Sequence, residues 1–230
     1  MIIGRESPFR RLRADLQPDQ AAFLDGVRIA AEMLDVAYGR LSELLWAATQ
    51  SFDDKDLAVP TAPILLDAWA IVDAVHRLRL LLDHTPGLKK SDSSYKLFIR
   101  KTKAATQFRG TIQHLNEWLQ NMAANGWPVW GTIAWVAVAD PQTRILHSCV
   151  LVSGRVQPGT RDMINPAGKT VVRHVDHVTL HCRDQEICLT DMRNEVETIV
   201  RAIEPSLAEH TENHPTLAAD IFVRVTLRPR

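Results

Sequence analysis

The segment of residues 91–125 constrains the fold of this chain more than any other stretch. It opens on Ser-Asp-Ser-Ser and stops at Asn125, just before Gly-Trp-Pro, and these are start and stop signals of a helix. Between them, apolar residues recur at alternating spacings of about three and four, which predicts one long helix packed on other helices. The apolar face consists of Phe98, Ala105, Phe108, Ile112, Leu115, Leu119 and Met122.

A second face of this predicted helix carries basic and polar side chains. On a helical wheel of about 100° per residue, its members fall within an arc of about 60°. They are Lys96, Arg100, Lys103, Gln107, His114 and Trp118. Residues 89–109 contain seven basic residues and one acidic residue, Asp92, so their positive field can attract phosphate. The same pattern also fits an ordinary solvated helix face.

Two further helices are predicted before this segment and a series of strands after it. Apolar residues at helical spacing predict one helix from Pro18 to about Gln50 and a second from Thr61 to about His84. Beyond residue 126, short β-branched runs divided by turn signals predict strands at 131–139, 144–152, 171–182, 186–189 and 221–227, with one helix after residue 189. We therefore expect an α+β fold, with an N-terminal antiparallel helical bundle over residues 1–126 and a small antiparallel β-sheet with one helix over residues 127–230, packed on the bundle.

Charge and cysteine content limit the function classes open to the chain. The 27 Lys and Arg residues balance the 27 Asp and Glu residues, so there is no overall attraction to nucleic acid or membrane. Three cysteines without a CxxC pair indicate a reducing compartment. With no secretory signal and no apolar run of about 18 residues, we expect a cytoplasmic protein without membrane contact. The sequence has no P-loop, GxGxxG, HExxH or GxSxG motif, which argues against motors driven by nucleotides, dinucleotide enzymes and α/β hydrolases.

Within the 91–125 segment, Arg109 precedes His114 with Gly-Thr-Ile-Gln between them. The run from Phe108 to Trp118 resembles the motif of HEPN-type nucleases, which are helical bundles that dimerise and cut RNA without a metal. That family usually has a polar residue, often Asn, after the arginine, where this chain has Gly110. The resemblance covers only the helical part of the chain, and only the arginine and the histidine carry over.

The resemblance implies a metal-independent endoribonuclease or a nuclease-like RNA-binding protein, acting as a homodimer without cofactor in a bacterial toxin or defence system. His114 would be the acid–base residue, because imidazole titrates near neutral pH. Arg109 would hold the phosphate through its guanidinium. Five residues of helix separate the two by about 140°, so they would converge on one phosphate across a dimer interface. The expected RNA contacts are Lys96, Arg100, Lys103 and a base-stacking Trp118.

The preceding helix carries a second group of polar residues, Asp73, His76 and Arg77. Asp73 and His76 are close enough on a helix to interact, and they could orient the same active centre. The alternative is a polar seam between helices. On the same helix, Asp67 projects from the apolar face and needs a cation or several donors to offset its desolvation.

Two other functions remain open from the sequence. One is a non-catalytic interaction protein that docks a partner on the mixed face of Trp69, His76 and Leu80, with an edge strand of the sheet as a further contact. The other is a small metal-dependent enzyme with His147, His177 and His181, although histidines at i and i+4 on a strand lie about 13 Å apart. The cysteines, Cys149, Cys182 and Cys188, are predicted to be small core residues.

Overall fold

The computed structural model describes residues 1–54, 58–140, 145–154, 163–208, 215–217 and 220–225. Its longest elements are two antiparallel helices, α1 (Pro18–Gln50) and α2 (Thr61–His84). Both have the bounds predicted from the sequence. Pro18 occupies the first turn of α1, where a missing backbone N–H removes no helical hydrogen bond. The two helices approach closely at Gly26, where an added Cβ would lie 2.9 Å from Cδ2 of Leu81.

The 91–125 segment forms three short helices, so the prediction of one uninterrupted helix is wrong. They are α3 (Ser93–Lys101), α4 (Lys103–Gln113) and α5 (Leu115–Ala124). At the first joint, the hydroxyl of Thr102 donates to the carbonyl of Phe98 at 2.6 Å. Arg79 of α2 donates to that hydroxyl at 2.7 Å and to the carbonyl of Ile99. These bonds satisfy the end of α3 from outside the helix, so the helix can stop there.

A four-stranded antiparallel sheet and one helix follow, which confirms the α+β class. The strands are β1 (Thr132–Asp140), β2 (Ile145–Val152), β3 (Val175–Cys182) and β4 (Gln185–Cys188), in the order β2-β1-β3-β4. β3 begins at Val175 and not at the predicted residue 171, and residues 171–174 form no strand. Helix α6 (Leu189–Ala208) starts directly after β4 and packs on β3 and the helices.

One cluster of buried side chains runs through the helical part and the sheet. It includes Leu34 and Leu41 of α1, Ile71 of α2 and Leu180 of β3, all fully buried. The core is thus continuous across residue 126, and the division into 1–126 and 127–230 remains a prediction. Among the helices of the described ranges, none combines the length and hydrophobicity needed to cross a bilayer.

The predicted final strand at 221–227 is wrong where the structure describes it. Residues 221–225 form no strand, and residues 226 and 227 lie outside the described ranges. The side chains of Ile221, Phe222 and Val223 are exposed. A run with high β propensity forms a strand only beside another strand. Before this run, the described chain is held by backbone hydrogen bonds of residues 215–217 to Leu12 and Ala14 and by the ion pair of Asp220 with Arg28.

Candidate functional site

Arg109 projects from α4 toward α2 and binds Asp73. Its Nε donates to Oδ1 of Asp73 at 2.9 Å, and Nε of Arg77 donates to Oδ2 of the same carboxylate at 2.5 Å. Burial opposes ionisation of Asp73, but the hydrogen bonds from Arg77 and Arg109 outweigh it, so the pKa of this carboxyl is lowered. Asp73 is therefore a carboxylate that holds two guanidinium groups.

His76 contacts the same arginine from the other side. Its Nε2 lies 3.3 Å from Nη1 of Arg109, and its Nδ1 lies 3.3 Å from the hydroxyl of Thr106. A guanidinium can only donate, so Nε2 accepts and the ring proton is on Nδ1. Burial and then the positive charge of Arg109 lower the pKa of His76, although Asp73 opposes this. The residues predicted to orient the active centre thus contact Arg109 and form a polar seam between α2 and α4.

His114 lies at the joint of α4 and α5, with a different set of neighbours. Its backbone has φ −105° and ψ 28°, which separates the two helices. Its Nδ1 lies 3.0 Å from Oε1 of Glu117 in the first turn of α5. Because an ionised carboxylate only accepts, Nδ1 carries a proton, and Nε2 has no hydrogen bond to a described residue. No hydrogen bond joins Arg109 to His114 within the described chain.

An open depression of about 330 Å³ lies between these helices and the turn that connects β3 to β4. We refer to it as the His114 depression. The predicted basic and polar face of the 91–125 segment contributes Gln107, His114 and Trp118. The remaining lining residues are Gly110, Thr111, Glu117, Arg183 and Gln185.

The indole of Trp118 already has a partner in this depression. The guanidinium carbon of Arg183 lies 3.8 Å from the centre of the ring, within the range of a cation–π contact. A base could therefore stack only on the opposite face of Trp118. The sequence analysis did not identify Arg183, since it lies on a hairpin turn whose position relative to α5 depends on how the sheet packs against the helices.

The predicted backbone contacts do not line the depression. Lys96 and Arg100 belong to α3, and Lys103 begins α4. All three are exposed, and none forms an ion pair with a residue that the structure describes. Lys101, between them, instead contacts Glu195 of α6.

The predicted partner-docking face is largely internal. Trp69 packs against Phe108 and donates to the carbonyl of Trp130 at 3.2 Å. His76 is buried, so only Leu80 of that face is exposed. Most of the face that the sequence predicts for docking a partner on α2 is therefore covered by other parts of the chain.

The alternative histidine site is not assembled. His177 contacts the carbonyl of Thr170, and His181 lies 3.7 Å from Glu186. Across the described residues, no three His, Cys, Asp or Glu side chains are grouped as a metal site requires. Cys182 is buried, and burial raises the pKa of Cys182 and Cys188 to about 11, so these thiols are largely protonated at neutral pH.

Comparison of the chain with protein-family models, with curated proteins and with solved structures gives no match. The resemblance to HEPN-type nucleases therefore depends on the residues around Arg109 and His114. The structure gives these two residues separate surroundings: a partly exposed polar cluster for the arginine and an open depression for the histidine. Their joint action on one phosphate remains a prediction.

Proposed function

We propose that the protein is a metal-independent endoribonuclease in which His114 is the acid–base residue. The observation that carries this proposal is the His114–Glu117 pair at an open depression. A carboxylate that holds one ring nitrogen orients the other toward substrate, as in known base–orienter pairs. Glu117 would fill that role here, with Nε2 of His114 directed at the RNA.

The reaction is attack of a ribose 2′-hydroxyl on the adjacent phosphorus. Nε2 of His114 accepts the 2′-hydroxyl proton as the 2′-oxygen–phosphorus bond forms. The bond from phosphorus to the 5′-oxygen of the next nucleotide breaks, and that oxygen takes a proton from solvent water. The products are a 2′,3′-cyclic phosphate and a 5′-hydroxyl end. The exposed cations Lys96, Arg100 and Lys103 would hold the RNA backbone on the way to this site.

In the proposed homodimer, Arg109 of one chain binds the phosphate at the His114 depression of the other chain. Asp73 and His76 hold its guanidinium in a fixed position, and a preorganised cation stabilises the charge that develops on phosphate. A second copy would bring this side chain to the His114 depression of the first. In a bacterial toxin or defence system, such an activity would act on cellular or invading RNA.

RNA cleavage in EDTA tests the proposal. A fluorescent single-stranded RNA is incubated with wild type, His114→Ala and Arg109→Ala. His114→Ala should lower the rate by about 100-fold, as expected for loss of an acid–base residue. His84→Ala is the matched control, since His84 is an exposed histidine that also follows an arginine, Arg79, at the same spacing. Equal rates in wild type, His114→Ala and Arg109→Ala would rule out the assignment.

An exposed apolar stripe on α1 favours a second candidate, a non-catalytic interaction protein. Ile29, Met33 and Val36 follow helical spacing, and their exposures of 37%, 54% and 61% are high for apolar side chains in a folded protein. Leu66 and Leu80 of α2 are also exposed. A stable heteromeric complex in light scattering and pull-down, lost in Met33→Glu and free of RNA at moderate salt, would favour this function.

A further inference from the structure

The turn between β3 and β4 has an unusual residue at its first position. Cys182 pairs with Gln185, so the loop consists of Arg183 and Asp184. Arg183 has φ +60°, whereas Asp184 is not among the residues with positive φ. This is the pattern of a type II′ turn, whose first position normally holds glycine. An arginine there is strained, and nothing in the hairpin itself requires it.

The guanidinium of Arg183 is held in place without a charged partner. It lies against Trp118 at 3.8 Å, so its orientation at the His114 depression is fixed by an aromatic contact. Within the residues that the structure describes, Arg183 makes neither an ion pair nor a hydrogen bond, and its Nε is buried without an acceptor. Glu117, the carboxylate of the depression, is paired with His114 instead. An anionic oxygen in the depression would compensate this charge through the terminal N–H groups of the guanidinium, which, unlike Nε, are not buried.

Arg109 differs from Arg183 in each of these respects. Its charge is compensated by Asp73, its Nη1 faces His76, and it does not line the depression. The amide of Gln113 also faces Arg109, and assigning its oxygen to that side gives it hydrogen bonds from Nη1 at 3.0 Å and from Nη2 at 3.2 Å. Arg109 is thus occupied within its own chain, whereas Arg183 has donors to spare beside His114.

We infer that Arg183 binds the phosphodiester of single-stranded RNA next to His114, so that each chain carries its own phosphate-binding guanidinium. The inference rests on the nuclease function proposed above and deepens it. Arg183 donates to the non-bridging oxygens of the phosphate that His114 acts on, and Trp118 backs the guanidinium. The His114 depression then has a guanidinium of its own in addition to the Arg109 that a second copy would supply, and Trp118 supports an arginine rather than a base.

Binding of an RNA that cannot be cleaved is the first test. The probe is a fluorescein-labelled single-stranded RNA with 2′-O-methyl riboses, followed by anisotropy over a range of KCl concentrations. Arg183→Gln should bind about tenfold more weakly, the loss expected for a charged hydrogen bond. The slope of log K against log salt should fall by about 0.7, the value for one phosphate contact on a single strand. Arg201→Gln, on α6 away from the depression, should match wild type.

Two further variants separate phosphate binding from a structural role. Arg183→Gly should keep or raise the melting temperature, because glycine suits the positive φ, while RNA binding falls as far as in Arg183→Gln. Arg183→Lys should restore part of the affinity, since it keeps the charge but loses the planar stack. A lowered melting temperature in Arg183→Gly with unchanged RNA affinity would overturn the inference.

The cleavage assay separates failure of the inference from failure of the proposed function. If His114→Ala cleaves RNA as fast as wild type, the proposed function fails. If His114→Ala is inactive while Arg183→Gln binds and cleaves like wild type, only the role of Arg183 fails. If wild type neither binds the probe nor cleaves RNA, both are wrong.

Discussion

The Nη1 atom of Arg109 lies 3.3 Å from Nε2 of His76, and this contact determines which form of the histidine the fold accepts. A protonated ring would present a second N–H to a guanidinium that can only donate. Protonation of His76 would therefore replace a hydrogen bond by a repulsive contact in a buried position. The seam between α2 and α4 is therefore more stable with this histidine neutral than with it protonated.

Acid is expected to weaken the fold through His76. Below about pH 6.5, the pKa of an unperturbed histidine, the unfolded chain binds a proton that folded His76, with its lowered pKa, does not bind. The free energy of unfolding therefore decreases as the pH is lowered, until the pKa of His76 in the folded protein is reached. Urea unfolding between about pH 5 and pH 7.5 measures this dependence. His76→Gln should show a shallower slope than wild type; identical slopes for the two proteins would contradict the prediction.

Glu117 is expected to support catalysis without binding RNA. Glu117→Gln keeps the size of the side chain but removes the carboxylate that holds Nδ1 of His114. RNA cleavage should slow by about tenfold, a modest loss within the range of acid–base effects because the pair is solvent-exposed. Affinity for the 2′-O-methyl RNA should stay the same or rise, since a negative charge is lost from the depression. A cleavage rate equal to that of wild type would show that the carboxylate does not orient the histidine.

We expect substitutions at Arg40 and Asp67 to have strongly non-additive effects on the free energy of unfolding. Asp67 is 3% exposed on α2, and its Oδ2 lies 3.4 Å from Nε of Arg40 with no hydrogen bond from the described residues. Arg40→Ala should destabilise the fold by about 1–2 kcal/mol, because it leaves a buried carboxylate without its cation. Adding Asp67→Asn should recover much of this loss. Urea unfolding of the two single variants and the double variant gives the coupling free energy, and simple additivity would argue against it.

Two glycines of α1 should respond oppositely to a larger side chain. A Cβ at Gly39 meets no atom within 4 Å, so Gly39→Ala should stabilise the helix by about 0.5–1 kcal/mol. At Gly26 the added atoms would meet Leu81, so Gly26→Val should destabilise by about 1–3 kcal/mol through overpacking. Melting temperatures of the two variants check this. A stabilised Gly26→Val would mean that the α1–α2 contact is looser than the structure shows.

Thr102 is expected to stabilise the joint between α3 and α4. Thr102→Val keeps the shape but removes the hydroxyl that links Arg79 to the carbonyl of Phe98. Because the site is fully buried, the loss should be about 1–3 kcal/mol of unfolding free energy. Thr198→Val is the matched control, since Thr198 makes the same bond to the carbonyl four residues earlier but is exposed on α6. Equal losses of unfolding free energy in the two variants would show that the hydroxyl at the joint has no special role.

Much of the secondary structure follows from local sequence signals. Pro18 and the apolar periodicity give the start and course of α1, and Thr85-Pro86-Gly87 ends α2 where predicted. These signals act over a few residues, so no knowledge of the rest of the fold is needed. The need of Asp67 for a cation was also foreseeable, since a carboxylate on an apolar helix face must be compensated. The sequence could not name Arg40 as the partner, because that depends on the register of α1 against α2.

The composition of the candidate site depended on distant contacts. Gln107, His114 and Trp118 share one helix face by spacing alone, and they do line one depression. By contrast, Arg109 turns to Asp73 and His76 because α2 packs against α4. Arg183 reaches Trp118 only because the β3–β4 turn packs beside α5.

Local patterning therefore determined the helices, most of the strands and the polar face, because periodicity and capping act between neighbours in the chain. The tertiary structure decided where the 91–125 segment breaks between α3 and α4. There Arg79 of α2 donates to the carbonyl of Ile99 and to the hydroxyl of Thr102. The tertiary structure also left residues 221–225 outside the sheet that the described residues form, despite their β propensity. The physical reason is the same in both cases: a hydrogen-bond partner brought by folding, or its absence, outweighs the local preference of the chain.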